Sequence, residues 1–284
     1  MQLSEAQVEN IVNSAIAEDT GQGDMTSEAV IPPDLQGRAS VLVKASGVLA
    51  GIDIARMVFL KINPSIEVKI IIPDGQKVQP GDVVATVEGD VVSILKAERT
   101  ALNFLQRMSG IATETARYIE ATRGLPVHIA DTRKTAPGLR PLEKYAVRTG
   151  GGQNHRQHMG DGIIIKDNHL AALSSQGMGL REIVARAKQN TRKGLKIEVE
   201  VKTPEEALEA IDAGADMVML DNMSLSEMRR TVELVRGRAL IEASGGITLD
   251  NVRQAAETGV DLISVGALTH SAKALDISLE LEPR

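Results

Sequence analysis

The sequence predicts an α/β protein in two parts, a β-rich N-terminal domain followed by a parallel α/β barrel. Three observations carry this. From residue 126 onward, short apolar runs alternate with helical patterns, the rhythm of βα units and a parallel sheet. Residues 38–92 read instead as closely spaced strands divided by turn signals. Aromatic residues are only 1% of the chain, so core volume must come from Leu, Ile, Val, Ala and Met, which suits helices packed on buried strands.

Residues 1–20 read as a helix, with Val8, Ile11, Val12, Ala15 and Ile16 on one face. In the β-rich part, Val41, Leu42 and Val43 begin one run and Val68 to Ile72 form another. Pro73-Asp74-Gly75 and Pro80-Gly81-Asp82 are turns between strands. The stretch from Gly75 to Gly89 has the look of a carrier-domain hairpin, but no Lys sits at a tight turn between its halves, so a carrier role is rejected. Residues 94–123 read as a long helix with Leu95, Leu102, Leu105, Met108 and Ile111 at helical spacing. Gly110 predicts a bend or break in it.

The later strands are expected at 127–130, 162–165, 195–201, 217–220, 239–243 and 262–265. Thr203 starts one intervening helix, with Pro204 at its first position and Glu206 completing a capping box. Ser224 and Glu227 do the same for the next, and Thr248 begins a third. Gly214, Gly237 and Gly259 end them. A faint repeat, Ala213-Gly-Ala-Asp216 and Thr258-Gly-Val-Asp261, leads into two of the strands, as paired βα units of a parallel barrel would show.

Composition narrows the function. The chain has 284 residues, 43% hydrophobic and 25% charged, ordinary for a soluble globular protein. Without cysteine there is no disulfide, thiolate metal site or Cys nucleophile. The first 18 residues lack the basic start and apolar run of a signal peptide, and no stretch has the length of a membrane span, so the cytoplasm is expected. The net charge of −6 argues against nucleic acid. Yet residues 128–169 hold seven Lys and Arg against four Asp and Glu. That is +3 there and −9 elsewhere, and four of the five histidines lie in the same window. Such a window reads as a small-anion site or as a solvated basic face.

The polar residues cluster where the strands end. After the first come Asp131, Thr132, Arg133 and Lys134, and after the second Lys166, Asp167, Asn168 and His169. The third carries Glu198, Glu200 and Lys202, and the fourth is followed by Asp221 and Asn222. Ser244-Gly245-Gly246 and Ser264-Val265-Gly266 follow the last two. Barrel active sites are built from these ends. The two glycine turns suit a phosphate ahead of a helix, or are simply tight turns. Glu200 and Asp221 suit Mg²⁺ bound with phosphate oxygens, or salt bridges to nearby lysines. Glu198 shares the face of Glu200 and is the alternative ligand, or a residue that supports the ligands from behind. Arg133, Lys134, His155, Arg156 and Lys166 are either exposed or paired with a polyanion, because burying them unpaired costs several kcal/mol each.

These residues resemble a known family. Asp131-Thr-Arg-Lys-Thr-Ala-Pro-Gly-Leu-Arg140, Glu143-Lys-Tyr-Ala146, Gly150-Gly-Gly-Gln-Asn-His-Arg156 and Lys166-Asp-Asn-His169 look like quinolinate phosphoribosyltransferases. So do Glu18-Asp-Thr-Gly-Gln-Gly-Asp24, Glu98-Arg-Thr-Ala-Leu-Asn103, Ser109-Gly-Ile-Ala-Thr113, Leu220-Asp-Asn222 and Ser264-Val-Gly-Ala-Leu-Thr-His270. The resemblance spans nearly the whole chain in order. It implies an N-terminal α/β domain (1–108), an open, irregular α/β barrel (109–270) and a segment, 271–284, that packs back on the N-terminal domain.

The resemblance further implies the transfer of phosphoribosyl from phosphoribosyl pyrophosphate to quinolinate, with loss of CO₂, in NAD biosynthesis. Arg133, Lys134, His155, Arg156 and Lys166 would hold quinolinate and pyrophosphate, with Lys134, Lys166, Glu200 and Asp221 as the catalytic set. Glu200 and Asp221 would take the ribose hydroxyls and Mg²⁺. Ser244, Gly245, Gly246, Ser264 and Gly266 would take the 5-phosphate. A homodimer, or a higher oligomer built from it, would bring Arg99 across the interface. Competing readings are a nicotinate-using or molybdenum-transport-associated relative, an aldolase or isomerase with Lys166 as a Schiff-base lysine, and a non-enzymatic nucleotide binder.

Overall fold

The computed structural model describes residues 4–283 apart from Gln22, Lys193 and Arg236. Residues 1–3 of the expected first helix, Gln22 of the Glu18 motif and the final residue of the C-terminal segment lie outside the described residues. The chain opens with α1 (Glu5–Thr20), α2 (Met25–Val30), β1 (Gln36–Val43), β2 (Gly47–Val48) and α3 (Ile52–Ile62). Then come β3 (Glu67–Ile70), β4 (Lys77–Val78), β5 (Val83–Asp90), α4 (Val91–Ala121), β6 (His128–Ala130), α5 (Arg140–Thr149) and β7 (Ile163–Ile165). It continues with α6 (Asp167–Ser174), α7 (Leu180–Asn190), β8 (Ile197–Val201), α8 (Pro204–Asp212), β9 (Met217–Asp221) and α9 (Leu225–Val235). The last elements are β10 (Leu240–Ser244), α10 (Val252–Ala256), β11 (Leu262–Ser264), α11 (Ala267–His270) and β12 (Ile277–Pro283).

The chain divides into two compact units. One comprises residues 1–116, 135–151 and 268–284, the other 117–134 and 152–267. In the first, an antiparallel sheet runs in the order β12-β1-β5-β3, so the C-terminal strand pairs with the first strand, Val41 opposite Leu279. Between the strands of this unit lies a helix that the sequence did not announce. α3 buries Ile52, Ala55, Val58 and Phe59, yet it has no Ser, Thr, Asp or Asn before it. Its cap comes from Asp74, whose carboxylate accepts the Gly51 and Ile52 N–H groups at 2.8 and 3.0 Å. The same carboxylate accepts the Tyr145 hydroxyl, and burial first, then Asp74, lifts that phenol to a pKa of about 12.

Helix α4 runs without interruption through Gly110. The glycine serves close approach rather than a bend: a Cβ there would lie 2.1 Å from the carbonyl oxygen of Lys273. The descending chain is tied to α4 beside it, Leu275 donating to the Gln106 carbonyl at 2.9 Å.

The second unit is a six-stranded parallel sheet in the order β6-β11-β10-β9-β8-β7. The first strand pairs with the last, as in a barrel, and among the described residues no ladder joins β6 to β7. The α/β class and the parallel sheet read from the sequence are both present. Val199, Val201, Leu220, Ala243 and Ile263 are buried along these strands.

The faint repeat has a physical meaning here. The carboxylate of Asp216 accepts the Ile197 N–H, and that of Asp261 accepts the Ile241 N–H, both at 2.8 Å. Each Asp pins the start of a neighbouring strand, after a glycine at φ 104° or 91° has turned the chain. Two capping expectations need correction. Thr203 accepts the Glu206 N–H, but Glu206 reaches the Lys202 N–H instead, so the box is not reciprocal. Thr248 opens a turn, and α10 begins four residues later because Asn251 takes the Thr248 N–H. The Ser224–Glu227 box is complete. None of the described helices is long and apolar enough to cross a membrane.

Replacing Gly110 with Ala should lower unfolding stability by about 1–3 kcal/mol in a denaturant titration, through overpacking against the Lys273 backbone. An unchanged midpoint would show that the segment yields.

Candidate active site

At the C-terminal ends of the parallel strands lies a cavity of about 580 Å³. All six strands or the loops directly after them line it. β6 leads to Thr132, Arg133 and Lys134, and β7 supplies Ile164 and leads to Lys166. β8 gives Glu200, β9 Met219 and Asp221, β10 Glu242 and Ser244, and β11 Ser264. Asn222, Gly245, Gly246, His155 and Arg156 complete the lining. Period-2 alternation selects these side chains: on β10, Glu242 and Ser244 face the cavity while buried Ala243 faces the other way.

The structure therefore gathers eleven of the thirteen residues singled out from the sequence. Gly266 follows β11 but is not among the lining residues, and Arg99 belongs to the first unit, on α4. Arg99 is exposed and lies 3.9 Å from the Glu98 carboxylate.

The cations are held in different ways. Arg156 is half-buried and donates from Nη1 to the Gly162 carbonyl at 2.9 Å, while its Nε is buried without a hydrogen-bond partner. Burial first, and then the nearby charge of Arg133, push its pKa below the usual guanidinium value. Lys166 is exposed and lies 3.1 Å from Oε2 of Glu200, so one of the proposed metal carboxylates already has a cationic partner. Lys202 pairs with Asp167 nearby.

The glycine turn after β10 is built around Asn222. That residue holds φ 55°, donates its N–H to the Ser244 carbonyl at 2.9 Å, and donates from its side chain to Asp221 Oδ1 at 2.9 Å. Gly245, at φ 84°, lies so close that a Cβ would come within 2.5 Å of the Asn222 side chain. Ser264 Oγ donates to Ser244 Oγ at 3.0 Å and so links the two turns.

Under the cations sits a group that sequence reasoning only partly anticipated. His155 lies two residues after Gln153, which pairs alongside β6 in a parallel bridge, exchanging backbone hydrogen bonds with Ile129 and Asp131. Its Nε2 lies 3.1 Å from Glu242 and 3.3 Å from Glu198. Nδ1 accepts the Arg156 N–H at 2.9 Å, and both ring nitrogens are thus engaged within the protein. Burial pulls the imidazole pKa down, and the two carboxylates raise it. Glu198 itself is pushed up by burial. Glu242 was not singled out. A carboxylate in the middle of an otherwise apolar strand, two residues before Ser244, was the available signal.

The three groups place their ligand atoms within 4.8 Å of one another, a clustering that Glu200 and Asp221 do not share with a third ligand among the described residues. A separate cavity of about 520 Å³ in the first unit is lined by a mixture of apolar and polar side chains, and it contains the ion pair of Arg107 with Glu143.

The comparisons agree with this architecture. The model of the quinolinate phosphoribosyl transferase N-terminal domain matches residues 24–109, and that of the C-terminal domain residues 111–280. A tobacco (Nicotiana tabacum) protein named quinolinate phosphoribosyltransferase [decarboxylating] 2b, mitochondrial, is 42% identical, covering 97% of this chain and 82% of its own. A Bacillus subtilis protein named probable nicotinate-nucleotide pyrophosphorylase [carboxylating] is 40% identical over 98% and 95%. The crystal structure of NadC from Streptococcus pyogenes superimposes with a TM-score of 0.94 at 39% identity, covering 100% of this chain and 99% of that one. With its fold, its strand-end cavity and two domain models in register, the chain belongs to the quinolinate phosphoribosyltransferase family.

Proposed function

We propose that this protein transfers the phosphoribosyl group of phosphoribosyl pyrophosphate to quinolinate, giving nicotinate mononucleotide, pyrophosphate and CO₂. One observation carries the reading. A single cavity at the strand ends receives Arg133, Lys134, Arg156 and Lys166, beside Glu200, Asp221 and a glycine turn. A dicarboxylate and a pyrophosphate together supply the negative charge such a cavity lacks. Arg suits bidentate carboxylate contacts, and Lys acts as a point charge.

In this reading Arg133, His155, Arg156 and Lys166 surround quinolinate, and Lys134 and Lys166 draw charge from the departing pyrophosphate. The quinolinate nitrogen forms its bond to ribose C1 as the bond from C1 to the pyrophosphate oxygen breaks, the electron pair leaving with pyrophosphate. The carboxylates of Glu200 and Asp221 face the developing positive charge on the ribose and hold its hydroxyls. Alkylation leaves the ring nitrogen cationic. The bond from ring C2 to its carboxylate then breaks, the electron pair stays at C2, CO₂ departs and C2 takes up a proton. No enzyme nucleophile is needed, so positioning and electrostatics carry the rate.

Glu200 and Asp221 fit Mg²⁺ in donor chemistry: two carboxylates from neighbouring strands, to be joined by ligand oxygens. Lys166 would have to leave Glu200 for this. When bound, the ion would add positive charge at the pyrophosphate oxygens. Ser244, Gly245, Gly246 and Ser264 would hold the 5-phosphate, with Gly266 just beyond them. The proposal includes a cytoplasmic location and a homodimer in which Arg99 of one copy reaches the cavity of the other.

Four outcomes are expected. The purified protein should release CO₂ from carboxyl-labelled quinolinate in the presence of phosphoribosyl pyrophosphate and Mg²⁺, and turn over nicotinate far more slowly. Equal rates on both acids would contradict the dicarboxylate reading. Arg156→Ala should reduce kcat/KM for quinolinate roughly 10- to 150-fold, the value of a lost charge-assisted contact. Gly245→Ala should cost on the order of 10²-fold in kcat/KM for phosphoribosyl pyrophosphate, by displacing the Asn222 turn. If Arg99 acts across an interface, mixing Arg99→Ala and Lys166→Ala protein should restore activity that neither variant has alone.

A further inference from the structure

We propose that Glu242 and Glu198 are positioning residues for this reaction: they hold His155 with its proton on Nε2, and the bare Nδ1 then anchors the backbone of Arg156. This rests on the reading that Arg156 grips an anionic substrate. Glu198 and Glu242 project from β8 and β10, strands separated by β9, and their carboxylates converge on one ring nitrogen. Both are buried, 5% and 0% exposed, and each has a second oxygen, Oε1, with no partner. An apolar side chain at either position would fill the interior of the sheet at lower desolvation cost. Two buried acids facing one imidazole therefore call for a reason other than stability.

The geometry at His155 supplies one. Nε2 lies within hydrogen-bond distance of two acceptors, so a proton there satisfies both. Nδ1 receives the Arg156 N–H at 2.9 Å, which requires a bare nitrogen: the two carboxylates favour a second ring proton, but at Nδ1 it would face the Arg156 N–H, so the ring keeps one proton, on Nε2. The opposite tautomer would set an N–H against an N–H on one side and a lone pair against two carboxylates on the other. The backbone is fixed as well. The His155 N–H donates to Asp131 Oδ1 at 2.9 Å, and Asn154 donates to Oδ2 of the same buried carboxylate at 2.6 Å. Arg156 is thus held at its N–H through Nδ1 and at Nη1 by the Gly162 carbonyl, and its buried Nε makes no hydrogen bond. Glu242, fully buried at the base of the cavity, and Glu198 spend their carboxylates on His155, so they position rather than catalyse.

The test compares Glu242→Leu, which removes the acceptor and keeps an apolar filling, with Glu242→Gln, which keeps an acceptor oxygen. With ¹⁵N-labelled histidine, long-range ¹H–¹⁵N spectra resolve the tautomer of each of the five rings. Wild type should show His155 with a protonated Nε2 and a bare Nδ1. Glu242→Leu should lose that signature and raise the quinolinate KM roughly tenfold or more, with the phosphoribosyl pyrophosphate KM little changed. Glu242→Gln should keep both near wild type. An unaltered tautomer in Glu242→Leu overturns the proposal. So does an equal loss for both substrates with Gln no better than Leu, or a divalent ion found bound at the three side chains. Should Glu242→Leu fail to fold, the same pair at Glu198 repeats the comparison. A wild-type protein that shows the tautomer but does not turn over quinolinate would refute the functional reading alone.

Discussion

Cations gathered at the ends of parallel strands repel one another, and the rest of the molecule is arranged around that cost. Arg133 and Arg156 are close enough, and Arg156 buried enough, that its guanidinium is destabilised in its charged form. Such a site is held in tension by the fold, which supplies the packing that keeps the strands in register. The alternative, relaxing the cations into solvent, would leave the ligand to bear the entropy of collecting them again. Lys166 is the exception. Its pairing with Glu200 is a contact that a metal or a pyrophosphate would have to replace.

The sheet gives depth as well as direction. Polar groups line the ends of its strands, and carboxylates sit one alternation below them: Glu198 beneath Glu200, and Glu242 beneath Ser244. The lower layer sets the ring that the Arg156 backbone leans on. At the opposite ends, Asp216 and Asp261 fix where β8 and β10 begin, and hence where Glu200 and Ser244 end. Strand register is thereby tied to site geometry, since a slip of one residue would turn each cavity-facing side chain to the other face.

Much of this was legible in the sequence because it is local or periodic. The alternation of β8 through β11 with capped helices, the strand-end polar residues and the paired Gly-x-Asp repeat all follow from short-range rules. What escaped depended on distant partners. α3 went unread because its cap, Asp74, lies 22 residues beyond the helix start. Gly110 looked like a helix break because nothing nearby in the chain announces the Lys273 carbonyl against it. Among the site residues, Arg133, Lys134, Lys166, Glu200 and Asp221 declared themselves by charge at strand ends, and Arg156 by its place in the cationic, His-rich window. Glu242 did not, since one acid inside an apolar strand looks like an anomaly until the strand two positions away in the sheet brings Glu198 beside it.

The most direct test of the charge argument is a crystal structure of the protein with quinolinate bound. The account predicts the ring in the strand-end cavity, its two carboxylates within hydrogen-bond distance of guanidinium or ammonium groups drawn from Arg133, Arg156, Lys134 and Lys166. A dicarboxylate lodged in the first unit's cavity, or seated at the strand ends with either carboxylate facing only solvent or protein acids, would contradict it.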